Sequence, residues 1–271
     1  MKIFKCKDRK INQMKSLIEA LNIDVNKKMI ISFVGGGGKT TSIYELGNEL
    51  SKLGKKVIIT TTTHMQMPER NFVLTDKKDD ILNLLNSENM ITVGQKCINK
   101  SNDCKDKNLV NKEKVIANKK INREKIQGFS IEFTRNLIKY CDFLLIEADG
   151  AKRLPLKIPA EHEPVILDNS NLVVGVCGID SVGKSIRETC HRKELVAKFL
   201  GLDENHKINE EDIAKILSSE KGQKKNVKCD YKIIVNKVDD EKRLDIGKNI
   251  FKELLKLGVN ELVLTSFKDN I

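Results

Sequence analysis

Four consecutive glycines, Gly35, Gly36, Gly37 and Gly38, stand between an apolar run and the sequence Lys39-Thr40-Thr41. The run before them, Met29-Ile-Ile-Ser-Phe-Val34, has the length and composition of a buried strand. After them Ile43, Leu46, Leu50 and Leu53 recur at spacings of three and four, and Gly54 stands where a helix C-terminal glycine belongs. Strand, glycine turn and helix in immediate succession form the local context of a phosphate-binding loop. Glycines let backbone N–H groups close round a phosphate, and the helix N-terminus adds unpaired donors and the positive end of its dipole. In that setting Lys39 would reach the β- and γ-phosphates and Thr40 would offer its hydroxyl to Mg²⁺. The strict pattern G-x-x-x-x-G-K-[ST] asks for glycine where the chain has Phe33, so what remains is a G-x-x-G-K-T-T core.

Such a loop needs carboxylate partners. Asp142-Phe-Leu-Leu-Ile-Glu-Ala-Asp-Gly150 reads as a buried parallel strand whose carboxyl end delivers Glu147 and Asp149 to the ligand edge of the sheet. One carboxylate, Glu147, would hold Mg²⁺ with Thr40, and Asp149 would orient the attacking group. A second strand, 56–60, runs into Thr60-Thr-Thr-Thr-His64. These threonines reflect either β-propensity or a hydroxyl turned to the γ-phosphate, so Thr62 and His64 are candidate contacts. A late strand, 231–235, ends in Asn236-Lys-Val-Asp239. There Asp239 would accept both N–H groups of guanine's Watson–Crick edge, the Lys237 stem would cover the ring, and Asn236 would brace the loop.

Residues 151–164 combine dense charge with three prolines and read as a rigid loop over the strand ends. Lys152, Arg153, Lys157 and His162 are its candidate anion or substrate contacts, joined by His191 and Arg192 further on. Residues 178–185, Gly-Ile-Asp-Ser-Val-Gly-Lys-Ser, satisfy the strict phosphate-loop pattern but precede no clear amphipathic helix. Asp180 and Lys184 are therefore expected to line the pocket rather than to form its phosphate loop. Elsewhere the periodicity predicts helices over 9–22, 77–86 and 130–140, and strands over 90–94, 171–178 and 261–266. A polar stretch, about 95–128, reads as an insertion. The alternation of strands and helices predicts an α/β fold: a doubly wound, mostly parallel sheet with helices on both faces, in one domain over 1–271.

Composition narrows the partners. No apolar run approaches the roughly 18 residues of a membrane helix, and no signal-peptide pattern opens the chain, so a cytoplasmic protein without membrane contact is expected. Seven cysteines without a Cys-x-x-Cys read as ordinary thiols. A formal charge of +11 invites polyanions, but with three tyrosines and no tryptophan to stack bases, nucleotide is favoured over nucleic acid.

Taken in order, the glycine loop, Glu147-Ala-Asp-Gly150, Pro159-Ala-Glu-His-Glu-Pro164, residues 178–184, His191-Arg192 and Asn236-Lys-Val-Asp239 resemble the YqeC-type family. That family is described as a selenium-dependent hydroxylase accessory, or selenium cofactor biosynthesis, protein. The resemblance implies a P-loop NTPase-like fold. It also implies a role in maturing selenium-dependent molybdenum hydroxylases, with such a hydroxylase or its cofactor as partner. The loop, with Glu-x-x-Gly and Asn-Lys-x-Asp, is similar to that of GTPases that insert metals into enzymes. The expectation is a Mg²⁺-dependent NTPase binding GTP or ATP, guanine preferred. The alternatives are an ATP-dependent ligase or kinase-like transferase, since G-x-x-G-K-T-T also resembles Mur-type ligases, and a nucleotide-gated binding module with negligible turnover.

Overall fold

Runs of alternating apolar residues that face two ways, rather than one, set this architecture, because a strand buried on both sides needs a layer on each. The computed structural model describes residues 1–97 and 124–268. The chain opens with β1 (Lys2–Lys7), β2 (Lys10–Met14), α1 (Leu17–Ala20), β3 (Met29–Gly35), α2 (Lys39–Lys52), β4 (Val57–Thr61), β5 (His64–Gln66) and β6 (Phe72–Val73). It continues through α3 (Lys78–Ser87), β7 (Met90–Val93), β8 (Gln95–Lys96), β9 (Lys125–Gln127), α4 (Ile131–Asn136), β10 (Phe143–Glu147), β11 (Leu156–Lys157) and β12 (Leu172–Gly178). Last come α5 (Ile186–Thr189), β13 (Cys190–His191), α6 (Lys193–Leu200), α7 (Glu210–Ser218), β14 (Asp230–Asn236), α8 (Glu241–Lys256) and β15 (Glu261–Ser266).

The main sheet has ten strands in the order β2-β1-β15-β14-β12-β3-β10-β4-β7-β6. Every neighbouring pair from β15 to β6 is parallel, and the β1–β2 hairpin adds antiparallel to β15. Ile31 and Phe33 of β3, Val57 and Ile59 of β4, and Phe143 and Leu145 of β10 pack on Ile43, Leu46 and Leu50 of α2. Their neighbours Ile30, Ile58, Leu144 and Ile146 turn the other way, onto Ile81 and Leu85 of α3 and onto Leu137. Farther along the sheet Cys177, Ile233, Val235 and Leu264 meet α7 and α8. Each such side chain taken from water contributes roughly 1.5–3 kcal/mol. This is the mixed α/β fold with helices on both faces of a largely parallel sheet. Among the described residues no helix is long and apolar enough to cross a membrane.

One expectation needs correction. The expected helix over 9–22 is broken: Lys10–Met14 is strand β2, and Asp8 and Arg9 have φ of 50° and 62°, so the chain reverses there in a hairpin. Only Leu17–Ala20 is helical, capped by the Ser16 hydroxyl, which accepts from the Glu19 N–H. The middle of the 95–128 insertion lies outside the described residues, while its flanks are structured. There β8 and β9 pair with each other and β9 with β5, all antiparallel.

What positions the site is the sheet order. The glycine turn follows the central strand β3, whose parallel neighbours are β10 on one side and β12 on the other. Their carboxyl ends make the edge on which open α/β sheets bind ligands.

Candidate functional site

The glycine turn is gripped from three sides. Gly36 N–H donates to the Val176 carbonyl of β12 (2.9 Å), Gly37 N–H to the Leu154 carbonyl (3.1 Å), and Gly35 N–H to both carboxylate oxygens of Asp149 (3.1 and 3.0 Å). Gly37 has φ +72°, and a Cβ there would lie 2.2 Å from the Gly178 nitrogen. Gly38 has φ +140°, and its Cβ would fall 2.0 Å from the Asn236 amide nitrogen. No other residue fits either position, by conformation or by space. Helix α2 starts at once without a side-chain cap, and its first intrahelical bond here is Ser42 N–H to Gly38 O (2.9 Å). The first-turn amides of Lys39, Thr40 and Thr41 are thus the helix-end donors turned to the edge of the sheet.

Lys39 is only 4% exposed. Its ammonium donates to the Gly35 carbonyl and lies 3.1 Å from Asp149 Oδ1 and 4.0 Å from Glu147 Oε1. Burial works against its charge, but Asp149 and Glu147 outweigh burial and hold its pKa above the ordinary lysine value. Thr40 Oγ1 donates to Glu147 Oε2 at 2.7 Å. Burial raises the Glu147 pKa, with Lys39 and then Thr40 opposing. Thr40 and Glu147 therefore pair a hydroxyl and a carboxylate oxygen, the hard oxygen donors that Mg²⁺ prefers. Among the described residues no group of three or more His, Cys, Asp and Glu could hold a metal, so any ion here would draw its other ligands from water and phosphate.

Beyond Asp149 the network continues. Lys157 lies 3.1 Å from Asp149 Oδ2 and 2.6 Å from Glu163 Oε2, and donates to the Gly150 carbonyl (2.7 Å). Glu163 in turn takes the Arg192 fork, NH1 on Oε2 and NH2 on Oε1 at 3.1 Å. Cation and carboxylate alternate without a break: Glu147, Lys39, Asp149, Lys157, Glu163, Arg192. Lys157 has 0% exposure, and it sits on β11, which pairs in parallel with β13 so that Lys157 lies opposite His191. Sequence reasoning gave Glu163 no role of its own and set Lys157, a candidate anion contact, in a loop over the strand ends. The available cue was Leu156 and Ile158 on either side of Lys157, an apolar frame that marks a strand rather than a loop.

Burial works against the Glu163 charge, but the Arg192 and Lys157 bonds outweigh it and bring its pKa down from 4.5 to about 2. A carboxylate held below its unfolded value stabilises the fold fully above that value, and the contribution fades as pH falls from 4.5 towards 2. Urea melts between pH 6 and pH 3 are expected to show wild type losing its stability advantage over Glu163→Gln across that interval. A constant gap would mean that Glu163 is not ionised against its partners.

The Asn236-Lys-Val-Asp239 turn meets the glycine loop directly. Asn236 Nδ2 donates to the Gly37 carbonyl (3.0 Å), and its Oδ1 accepts from Thr265 Oγ1 (3.0 Å). Asp239 Oδ1 accepts from Ser266 Oγ (2.8 Å), and Oδ2 from Arg243 (3.1 Å). Lys268 also lies 3.3 Å from Oδ2, so of the roughly four hydrogen bonds a carboxylate accepts, the open capacity is on Oδ1. Lys237, at φ 65°, pairs with Asp180 Oδ2 at 2.8 Å. Residues 178–185 lead into no long helix. Ile179–Ser181 is a single 3₁₀ turn, and Ser185 caps the four-residue α5 in a box with Glu188.

The other candidates make different contacts. Because β10 lies between β3 and β4, the threonines at the end of β4 face backbone: Thr60, Thr61 and Thr62 donate to the carbonyls of Val93, Glu147 and Val165, each at 2.8 Å. His64 is exposed on β5, and His162 is exposed while its neighbour Glu163 turns inward. Lys152 and Arg153 are exposed with φ of 46° and 64° in a turn closed by Leu154 N–H to Ala151 O (2.9 Å). Leu154 is the residue whose carbonyl grips Gly37, so this basic turn hangs from the glycine loop. His191 is half-buried, and burial, then Arg192 and Lys157, lower its pKa to about 4. It is a neutral imidazole at pH 7. Cys190 is a buried thiol whose pKa burial raises to about 12.

The family model described as "YqeC protein" matches residues 31–194. A protein of Escherichia coli (strain K12) described as "Uncharacterized protein YqeC" is 32% identical over 222 residues, covering 79% of this chain and 79% of its own. The matched span of the family model runs from β3 to the start of α6 and contains every member of the alternating charge network.

Proposed function

The chain belongs to the YqeC family, and from that premise we propose that it is a Mg²⁺-dependent nucleotide-binding protein of the P-loop NTPase type. The observation that carries the reading is the glycine turn after the central strand, with Lys39 at the head of α2 and buried against Asp149 and Glu147 at the end of the adjacent strand. A triphosphate would lie over the first turn of α2 and take Lys39 from its carboxylates. The charge supplied by Mg²⁺ would let phosphate approach Glu147 without like-charge repulsion. Thr40 and Glu147 would hold that ion, Asp149 would orient a nucleophile, and Gly38 with the α2 amides would fix the phosphate in line. Asn236 ties the base-side turn to Gly37, which supports a purine seated between Lys237 and Asp239, guanine preferred over adenine.

On the resemblance drawn from the motifs, the nucleotide would serve a step in maturing selenium-dependent molybdenum hydroxylases. A second substrate would meet the Arg153 and His191 side of the network. One observation favours the nucleotide-gated module as a second reading. Lys39, Thr40 and the Gly35, Gly36 and Gly37 amides all have protein partners, so a ligand must rearrange the loop to bind. Phosphate release with GTP and Mg²⁺ separates the two: sustained release supports the NTPase, and binding without release supports the module.

Calorimetry with GTP and ATP tests the base reading. Wild type is expected to favour GTP, and Asp239→Asn to lose at least about tenfold in GTP affinity while gaining xanthosine triphosphate, a swing of about 1.4 kcal/mol or more. Unaltered GTP affinity in Asp239→Asn would remove guanine recognition from this turn.

A further inference from the structure

We propose that Arg192 and Lys157 form an oxyanion site, filled in this structure by the chain's own Glu163, and that an acidic second substrate binds by displacing that carboxylate. The inference deepens the second-substrate reading and rests on it for the reaction served, though not for the anion. The pocket is built: Lys157 is 0% exposed and Glu163 5%. Glu163 Oε2 takes Lys157 at 2.6 Å, one arm of Arg192, and the Ala160 N–H at 3.4 Å, while Oε1 takes the other arm at 3.1 Å. A guanidinium fork above an ammonium is the donor set for a carboxylate or a phosphate.

The occupying residue sits on a short surface turn. Glu163 N–H donates to Ala160 O (3.1 Å), and the tip residues Glu161 and His162 are exposed. Lys225 holds the base of that turn through the Ala160 and Glu161 carbonyls (2.7 and 2.8 Å), so the turn stays anchored when the Glu163 carboxylate is exchanged for an incoming anion. Arg192 is open to solvent on one side, its side chain 24% exposed. Lys152 and Arg153 are exposed cations next to each other in the chain, and Lys152, after burial, Arg192 and Lys157, is the least of the influences that lower the His191 pKa. Glu161 is the opposing exposed charge nearby. An incoming oxyanion meets a net cationic mouth and, inside it, a carboxylate of its own kind to replace.

The network also sets an order. Lys157 is shared between Asp149 and Glu163. When Lys39 turns to a phosphate, Asp149 is left with Lys157 as its cation and draws it away from Glu163. A loaded glycine loop therefore loosens the internal anion of the second site.

Equilibrium dialysis with inorganic phosphate, and in parallel with malonate, tests this on wild type, Glu163→Gln and Glu163→Gln/Arg192→Gln. Glu163→Gln is expected to bind at least one of the two probes ten times more tightly than wild type, and the double variant to return to the wild-type value. The probe that gains identifies the substrate acid as phosphate or carboxylate. No gain for either probe, or a gain that survives loss of Arg192, overturns the proposal. Should Glu163→Gln fail to fold, Glu163→Asp, which withdraws the carboxylate by one methylene, is read by the same criteria. GTP and ATP are titrated into the same proteins. Nucleotide binding without an anion gain defeats this inference alone, and an anion gain without nucleotide binding defeats the nucleotide reading alone.

Discussion

Replacing Lys39 with methionine is expected to weaken binding of a nucleoside triphosphate at least about 100-fold, near 3 kcal/mol. Methionine keeps the stem that fills the slot between α2 and β10 and deletes only the charge. The loss is large because a charge-assisted bond in a site shielded from water is worth more than one at a surface, and the ligand's own charge would then have no buried cation to meet. The free protein changes too. Glu147, its pKa already raised by burial, would lose the cation that most opposes that rise and would take up a proton at higher pH. Asp149 keeps Lys157 as its cation, so the variant should melt below wild type and remain folded. Calorimetry and a thermal melt on one preparation separate the two effects. Equal affinity in a folded Lys39→Met protein would place the nucleotide elsewhere in the molecule.

Local chemistry made the centre of the fold readable. Met29–Gly35 and Phe143–Glu147 are apolar on both faces because both faces are covered, and such strands announce themselves without tertiary context. The cap behind α2 was equally legible: Gly54 takes φ +78°. Sheet order was not. Nothing in the 56–64 stretch tells that β10 will insert between β3 and β4, and that insertion sets the end of β4 beside Glu147 rather than beside β3. The charged 151–164 segment misled for a related reason. Lysine and glutamate normally read as solvated, and only the pairing of Leu156–Lys157 with Cys190–His191, more than thirty residues apart, makes a buried lysine tenable. Whether Glu163 or His162 turns inward is decided by that same distant contact with Arg192.

Lys157→Met is expected to lower stability by about 3–5 kcal/mol, the usual cost of breaking a buried ion pair by removing one member. In a chain of this length that is a fall in Tm on the order of 10 °C. Removal strands two carboxylates rather than one, since Lys157 lies between Asp149 and Glu163, and the Gly150 carbonyl loses its donor as well. Lys39 and Arg192 each retain one end of the broken chain, which limits the damage and keeps the protein folded. The cause can be isolated by a double-mutant cycle. Glu163→Gln removes the charge that Lys157 neutralises, so the two changes together should cost less than their sum by about 1–3 kcal/mol. Additive losses, or a Lys157→Met protein that melts with wild type, would mean the alternating charges stand side by side without acting on one another. In that event neither the internal anion at Arg192 nor its coupling to the glycine loop could follow from this arrangement.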